Sequence, residues 1–348
     1  MNRHKLLIAA FIPLLAAAGF SQTMNFNIAG VTRNSIIHVP GSGLSNPPLV
    51  IILHGLGGKG ADMQNSTQMD KIADREKFIV AYPSAINGTW DYAAAKPNDY
   101  TFFLAIIDTL EARYHIDRNR VYLTGFSQGG GETVYAGFKY PDVFAAIAPV
   151  SSIGSGSTPP KRPIPIFLTF GTSDIYPVTT FMSAVNSWLK IDSCTSTVIR
   201  TRPYPSSNTQ STVTRLEYSS CAQGTEIMVD SIAGGTHEWP MNATTKVNNS
   251  EEVWAFFKKF SLKGGTAIQK SLSLVSQNLI SASYSSGIIH LKGVEEKSRI
   301  RVIDTEGRLI TSATLTKNQF PFKGKPSGVY VVMVKGKEGF DSIRMVIP

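Results

Sequence analysis

Cysteine is scarce in this chain, long apolar runs are missing and charge is thin: the 348 residues include two cysteines, 17% charged residues and 42% hydrophobic ones. That composition supports a packed core and excludes a disordered chain, and the length suits two domains better than one. The first apolar stretch, residues 6–18, is too short and wrongly flanked for a membrane anchor, so no membrane span is expected in the mature protein. Basic residues precede it and small ones (Ala17, Gly19, Ser21) follow, the pattern of a secretory signal peptide over residues 1–21. No cysteine lies near its end, which excludes a lipid anchor there. The histidines and carboxylates are not at ligand spacing, so no metal is expected, and no other cofactor is called for.

Absence also settles the charge. The net +9 looks like a footprint for nucleic acid until it is divided along the chain. The leader holds Arg3 and Lys5, residues from Leu262 onward hold 13 Lys and Arg against 6 Asp and Glu, and residues 22–261 hold 19 of each sign. A neutral central part with no basic stripe excludes nucleic acid as a partner, and the basic tail reads as solvated surface. Export makes Cys194 and Cys221 a disulfide pair, with two free thiols as the alternative.

What is present is alternation. Strand-like apolar runs recur at 49–53, 78–82, 120–124, 145–150, 164–170 and 227–232, with helix-like stretches between most of them, among them 99–114 and 178–189. That spacing predicts an α/β fold: a mostly parallel sheet covered on both faces. A helix opening with a capping signal at Asn249-Ser250-Glu251-Glu252 closes this part. Into the pattern falls Gly125-Phe126-Ser127-Gln128-Gly129, preceded by a strand and followed by a helix. In that context G-x-S-x-G is the nucleophile elbow of an α/β-hydrolase fold, with Ser127 turned out of the sheet and glycines where side chains would clash with neighbouring strand and helix.

A serine hydroxyl needs a base within reach. Of the six histidines, His4 lies in the leader, His290 in the tail, His38 before the core strands and His115 at a helix end. His237 follows the last strand in Gly234-Gly235-Thr236-His237-Glu238-Trp239-Pro240, where this fold carries its base, and is the expected partner of Ser127. Asp174, after the run 165–170 breaks at Gly171, is the expected acid; Asp142 and Asp230 are its competitors, and Asp192 ends a helix expected to lie away from the catalytic edge. His54-Gly55-Leu56-Gly57-Gly58, also after a strand, has the texture of an oxyanion loop. The donors are expected to be the amides of Gln128 and Leu56, with Gly57 as the near alternative to Leu56. Trp90, Asp91 and Trp239 are expected to contact substrate, the alternative for Trp90 being core packing.

Beyond Leu262-Lys263-Gly264-Gly265-Thr266 the texture changes. Residues 272–348 show no helical period, alternate as in Arg299-Ile300-Arg301-Val302-Ile303-Asp304, and are punctuated by Glu306-Gly307 and Pro326-Ser327-Gly328. They predict a small all-β sandwich. The expected order is leader 1–21, α/β domain 22–261, linker 262–271 and β domain 272–348.

With these residues placed, the central part resembles the secreted feruloyl esterase, acetylxylan esterase and poly(hydroxybutyrate) depolymerase group, the carbohydrate esterase family 1 type. The likeness rests on His54-Gly55 with its following glycines, Phe78-Ile79-Val80-Ala81-Tyr82-Pro83-Ser84 and Trp90-Asp91-Tyr92. It continues through the run from Ile116 into the elbow, Tyr140-Pro141-Asp142-Val143-Phe144, Cys221 and the Gly-Gly-Thr-His-Glu-Trp-Pro run. Many relatives carry a cysteine before the tryptophan of the Trp-Asp segment, where this chain has Thr89. The resemblance implies Ser127, Asp174 and His237 as a triad hydrolysing feruloyl or acetyl esters of plant cell-wall polysaccharide such as xylan. A short-chain polyester is the runner-up substrate, and a non-catalytic surface-binding protein is the reading from a different class. The tail resembles the C-terminal sorting domain of type IX secretion substrates, through Ile303-Asp304-Thr305-Glu306-Gly307-Arg308-Leu309 and Ser327-Gly328-Val329-Tyr330-Val331-Val332-Met333-Val334. That implies the outer surface or exterior of a gram-negative bacterium, with a carbohydrate-binding module as the competing reading. The tail's few aromatics lean against the latter.

Overall fold

The computed structural model describes residues 19–91, 99–154, 160–195, 197–241 and 247–262, and 281–347 apart from 293, 295–297, 305–308, 316–317, 325 and 336–339. The expected leader up to residue 18 and the expected linker beyond Leu262 lie outside them. The chain divides into two compact units, Met1–Ala267 and Ile268–Pro348.

The first unit runs β1 (Phe20–Ile28), β2 (Val31–Val39), β3 (Leu49–Leu53), α1 (Gly60–Thr67), α2 (Met69–Glu76), β4 (Ile79–Pro83), α3 (Asp99–Tyr114), β5 (Val121–Phe126) and α4 (Gln128–Lys139). It continues with β6 (Ala146–Val150), β7 (Ile166–Gly171), α5 (Val178–Ile191), β8 (Ile199–Thr201), β9 (Val213–Tyr218), β10 (Ile227–Ile232) and α6 (Asn249–Phe257). These strands form one sheet in the order β1-β2-β4-β3-β5-β6-β7-β10-β9-β8. The six from β4 to β10 are mutually parallel, and antiparallel strands flank them at both ends.

Strand periodicity explains why the sheet is covered twice. All five residues of β3 are buried. Leu49, Ile51 and Leu53 join a cluster with Phe102, Phe103 and Ile106 of α3, Val134 of α4 and Trp188 of α5. Val50 and Ile52 point the other way, into a cluster with Met63 of α1, Ile72 of α2 and Trp254 of α6. A strand buried on both faces reads as a continuous apolar run, because successive side chains alternate faces. Asn248 caps α6, its side chain accepting from the Ser250 and Glu251 amides, one residue ahead of the expected start. Among the described residues no helix is long and apolar enough to cross a membrane.

One hairpin departs from the reading above. Phe20 and Ser21, at the end of the expected leader, pair with Val39 and His38 in the β1–β2 ladder. Alternate residues Met24, Phe26 and Ile28 are buried, so a half-buried edge hairpin begins where the sequence suggested only a cleavage region.

The second unit has two antiparallel sheets. One holds β11 (Ser281–Ser285), β12 (Ile288–Lys292) and β15 (Gln319–Pro321). The other holds β14 (Leu309–Thr314), β13 (Arg299–Asp304), β16 (Gly328–Lys335) and β17 (Phe340–Ile347), in that order. Ile289 and Phe320 of the first sheet and Ile300, Val302 and Val332 of the second share one buried cluster, which makes the pair a sandwich.

Candidate active site

Every loop of interest leaves the carboxyl end of a parallel strand, the edge where open α/β sheets place their ligands. Residues 54–58 follow β3, residues 84–91 follow β4, Ser127 follows β5, Ser152 and Ile153 follow β6, Asp174 follows β7 and His237 follows β10.

Ser127 sits between β5 and α4 at φ 53°, ψ −118°, a region that costs a non-glycine residue on the order of 1–3 kcal/mol and persists only when its surroundings enforce it. Its amide donates to the Val150 carbonyl at 2.9 Å. A Cβ on Gly125 would lie 2.4 Å from the Gly129 carbonyl oxygen, and one on Gly129 would lie 2.5 Å from the Leu53 and His54 carbonyl oxygens. The two glycines therefore let helix and strand backbones approach closely enough to hold the turn.

His237 Nε2 lies 2.8 Å from Ser127 Oγ, and His237 Nδ1 lies 2.8 Å from Asp174 Oδ1. The Asp174 side chain is fully buried, and its Oδ1 also accepts from the Tyr176 amide. The acid and base loops are joined through their backbones: the Ser173 amide donates to the Gly235 carbonyl at 2.8 Å, and the Gly234 amide donates to Thr172 Oγ1 at 2.9 Å. A Cβ on Gly171 would come within 2.0 Å of the Gly235 carbonyl oxygen, so this junction requires the glycine that breaks β7. The competing acids, and Asp192, are placed elsewhere. Asp142 is exposed beside Arg162, Asp192 is buried and accepts from the Ile164 amide, and Asp230 is held by two hydrogen bonds from Arg215, at 2.7 and 2.6 Å.

Leu56 and Gln128 line the same cleft as Ser127. Gln128 is the first residue of α4, where backbone N–H groups have no intrahelical acceptor. The Gly57 amide is occupied by the Gly88 carbonyl at 2.8 Å, which favours Leu56 over Gly57 as the second donor. His54 is buried. Its Nε2 accepts from the Ala85 amide at 3.0 Å, so Nδ1 carries the proton donated to the Gly55 carbonyl at 2.7 Å. Burial lowers its pKa, which suits a neutral structural imidazole.

The expected aromatic contacts need correction. Trp90 is 2% exposed and packs with Phe103 and the His54 ring. Trp239 is 7% exposed, and its indole N–H donates to Ser250 Oγ at 3.0 Å. Neither lines the cleft, because each ring fills space between elements and each N–H is spent on a buried acceptor. Asp91 is half-buried with its amide donating to Asp99 Oδ2, and it does not line the cleft either. The cleft, about 570 Å³, is walled by Leu56, Val134, Tyr135, Ile153, Ile175 and Tyr176. Leu56 and Ile175 are 69% and 67% exposed. A signal for part of this wall was present: 128, 131, 134 and 135 share one face of α4 at helical spacing, and Ile175 and Tyr176 directly follow the acid.

With the geometry in place, the likeness to known proteins can be located on it. Residues 33–159 match the family model described as Esterase PHB depolymerase. That segment carries the oxyanion-like loop and Ser127 but ends before Asp174 and His237. The chain is 37% identical over 148 residues to a bifunctional acetylxylan esterase/xylanase of Neocallimastix patriciarum, a match covering 42% of this chain and 22% of the relative. It is 29% identical over 261 residues to feruloyl esterase B of Piromyces equi, covering 66% of this chain and 46% of that one. The chain thus spans less than half the length of these two curated relatives. The solved acetyl xylan esterase from Aspergillus awamori superposes with a TM-score of 0.53 at 16% identity, over 68% of this chain and 98% of that one. At that identity the likeness concerns the fold, which is that of an α/β-hydrolase.

Proposed function

We propose that this chain is an exported serine esterase that removes feruloyl or acetyl groups from plant cell-wall polysaccharide such as xylan. The observation that carries the reading is the pair of 2.8 Å contacts running Ser127–His237–Asp174, with Ser127 lining an open, largely apolar cleft. Ser127 Oγ attacks the ester carbonyl while His237 Nε2 takes its proton, and Asp174 holds the imidazole through Nδ1 and stabilises it when charged. The Leu56 and Gln128 amides receive the negative charge on the carbonyl oxygen. His237 then protonates the departing sugar oxygen, and a water deprotonated by His237 releases the acid from Ser127.

Tyr135 and Tyr176 on the cleft wall supply aromatic faces suited to a flat feruloyl ring. The exposed Leu56 and Ile175, with the family match, support a short-chain polyester as the second reading. In the same proposal the C-terminal sandwich is a sorting domain read by type IX secretion machinery, which places the enzyme outside a gram-negative cell. Of the first sorting-domain motif, residues 305–308 lie outside the described residues.

The direct test measures hydrolysis of p-nitrophenyl acetate, methyl ferulate, acetylated xylan and polyhydroxybutyrate by the full chain and by Ser127→Ala. Activity on the first three that vanishes with Ser127→Ala is expected. Turnover of polyhydroxybutyrate alone would transfer the assignment to the polyester, and no turnover of any ester would leave a binding protein.

A further inference from the structure

The three segments around the proposed oxyanion position are linked by hydrogen bonds from side chains to backbone. Gln128, on the nucleophile side, accepts through Oε1 from the Trp90 amide at 3.1 Å. Trp90 in turn donates its indole N–H to the His54 carbonyl at 2.7 Å. His54 accepts through Nε2 from the Ala85 amide at 3.0 Å and donates from Nδ1 to the Gly55 carbonyl at 2.7 Å. The Gly57 amide, donating to the Gly88 carbonyl at 2.8 Å, adds a backbone link between the same two loops. Residues 85–90 therefore touch both segments that carry the proposed donors, Leu56 and Gln128.

We infer that His54, Trp90 and Gln128 are positioning residues that fix the separation of the two oxyanion donors, with residues 85–90 as the spacer between them. The inference rests on the esterase reading above. Backbone donors stabilise a tetrahedral oxyanion only if both point at one place 2.7–3.1 Å away. Leu56 sits in a glycine-rich turn closed by the Gly58 amide donating to the Gly55 carbonyl at 3.1 Å, and the direction of its amide follows how that turn as a whole is held against its neighbours. A small displacement of reacting or stabilising groups is expensive in rate, so a loop of this kind needs an external brace. Trp90 and His54 are buried, and their rings lie 4.7 Å apart, so the brace is held by packing as well as by hydrogen bonds. The Gln128 side chain contributes as acceptor to Trp90 while its own amide serves as donor to substrate, so one residue couples the brace to the site.

The test uses the full chain with Gln128→Met, which keeps length and removes the acceptor, and Trp90→Phe, which removes the indole donor. Fluorophosphonate titration of Ser127 gives the active fraction, so kcat is expressed per active site. Each substitution is expected to lower kcat on p-nitrophenyl acetate about ten- to a hundredfold, with KM within about twofold. The inhibition constant of a boronic acid, whose tetrahedral adduct places an oxygen at the oxyanion position, should weaken by a similar factor. The double variant should be barely worse than either single, because both break one circuit. A boronate constant unchanged in both variants would overturn the inference, as would a rise in KM at constant kcat, the signature of a substrate contact. If Trp90→Phe does not fold, Gln128→Met decides alone. Failure of the esterase reading is separate: it would appear in the unsubstituted protein as no reaction of Ser127 with fluorophosphonate.

Discussion

Glu132 lies one turn into α4, the helix that follows the nucleophile, and is 1% exposed. Its Oε2 has no hydrogen-bond partner among the described residues. Burial pushes its carboxyl up to about 9, with Asp99 and Asp91 adding and Arg33 opposing. The folded protein therefore holds a proton here that the unfolded chain has given up above the ordinary carboxylate range. Between about pH 4.5 and 9 the unfolded state binds fewer protons, so stability from this group is full at the acid end and falls as pH rises, by at most about 1.4 kcal/mol per unit. Glu132→Gln, which keeps the shape and cannot ionise, should flatten the decline of Tm between pH 5 and 9 and exceed the parent in Tm at pH 8. A parallel decline in parent and variant would reassign the pH dependence to another group. At the site itself, Ser127→Ala, His237→Ala and Asp174→Ala should each cut ester hydrolysis by orders of magnitude with Tm little changed. The pair Ser127→Ala/His237→Ala should be barely worse than either alone, because the members act as a unit. Near-parental turnover by Asp174→Ala would remove the acid assignment.

At the level of elements, the parallel core was legible because its strands are buried on both faces and so stand out as unbroken apolar runs. Residues 49–53 and 227–232 coincide with β3 and β10, and 99–114 with α3. Ser127, Asp174 and His237 stand out as candidates in the sequence because each follows such a run. The β1–β2 hairpin was hidden by its half-buried alternation next to a leader-like stretch. The tryptophans misled because proximity in sequence to His237 says nothing about which way a ring points. Trp239 instead joins the base loop to α6 and α1: its N–H donates to Ser250 Oγ, which donates to the Thr67 carbonyl at 2.7 Å. Trp239→Ala should therefore change kinetics on methyl ferulate and p-nitrophenyl acetate alike, and a larger KM effect on the ferulate would restore it as a substrate contact. The disulfide Cys194–Cys221 is formed, 27 residues apart in sequence. It joins the end of α5 to the segment before β10 and closes off the β8–β9 edge. The Thr195 amide donating to the Ser220 carbonyl and the Ala222 amide donating to the Asp192 carbonyl hold the same junction. Loop entropy assigns the bridge about 3.5 kcal/mol, and neither cysteine is among the residues lining the cleft. Reduction should lower Tm while leaving activity intact in the folded protein; loss of activity without unfolding would tie the bridge to the site.

At the scale of the whole molecule, each of the two units has a buried apolar cluster of its own among the described residues. The clusters that cover the large sheet draw on residues up to Leu262, and the sandwich cluster draws on residues from Tyr284 onward. The candidate triad and the residues lining its cleft all belong to the first unit. A unit with its own core folds without its neighbour, so the sandwich should be dispensable for chemistry; on the proposed sorting role it should be required for delivery. A chain ending at residue 267 should keep the kcat and KM of the full protein on a soluble ester, while accumulating in the periplasm of the native host. Insoluble xylan separates delivery from adhesion. A carbohydrate-binding module would hold the polymer through exposed aromatic faces, but Phe320, Phe322 and Tyr330 of the sandwich are buried in its core and Tyr284 is half-buried against the same cluster. Pull-down on xylan should therefore be the same with and without the sandwich. If truncation abolished that binding while export continued, the sorting assignment would fail and a polysaccharide-binding role would replace it.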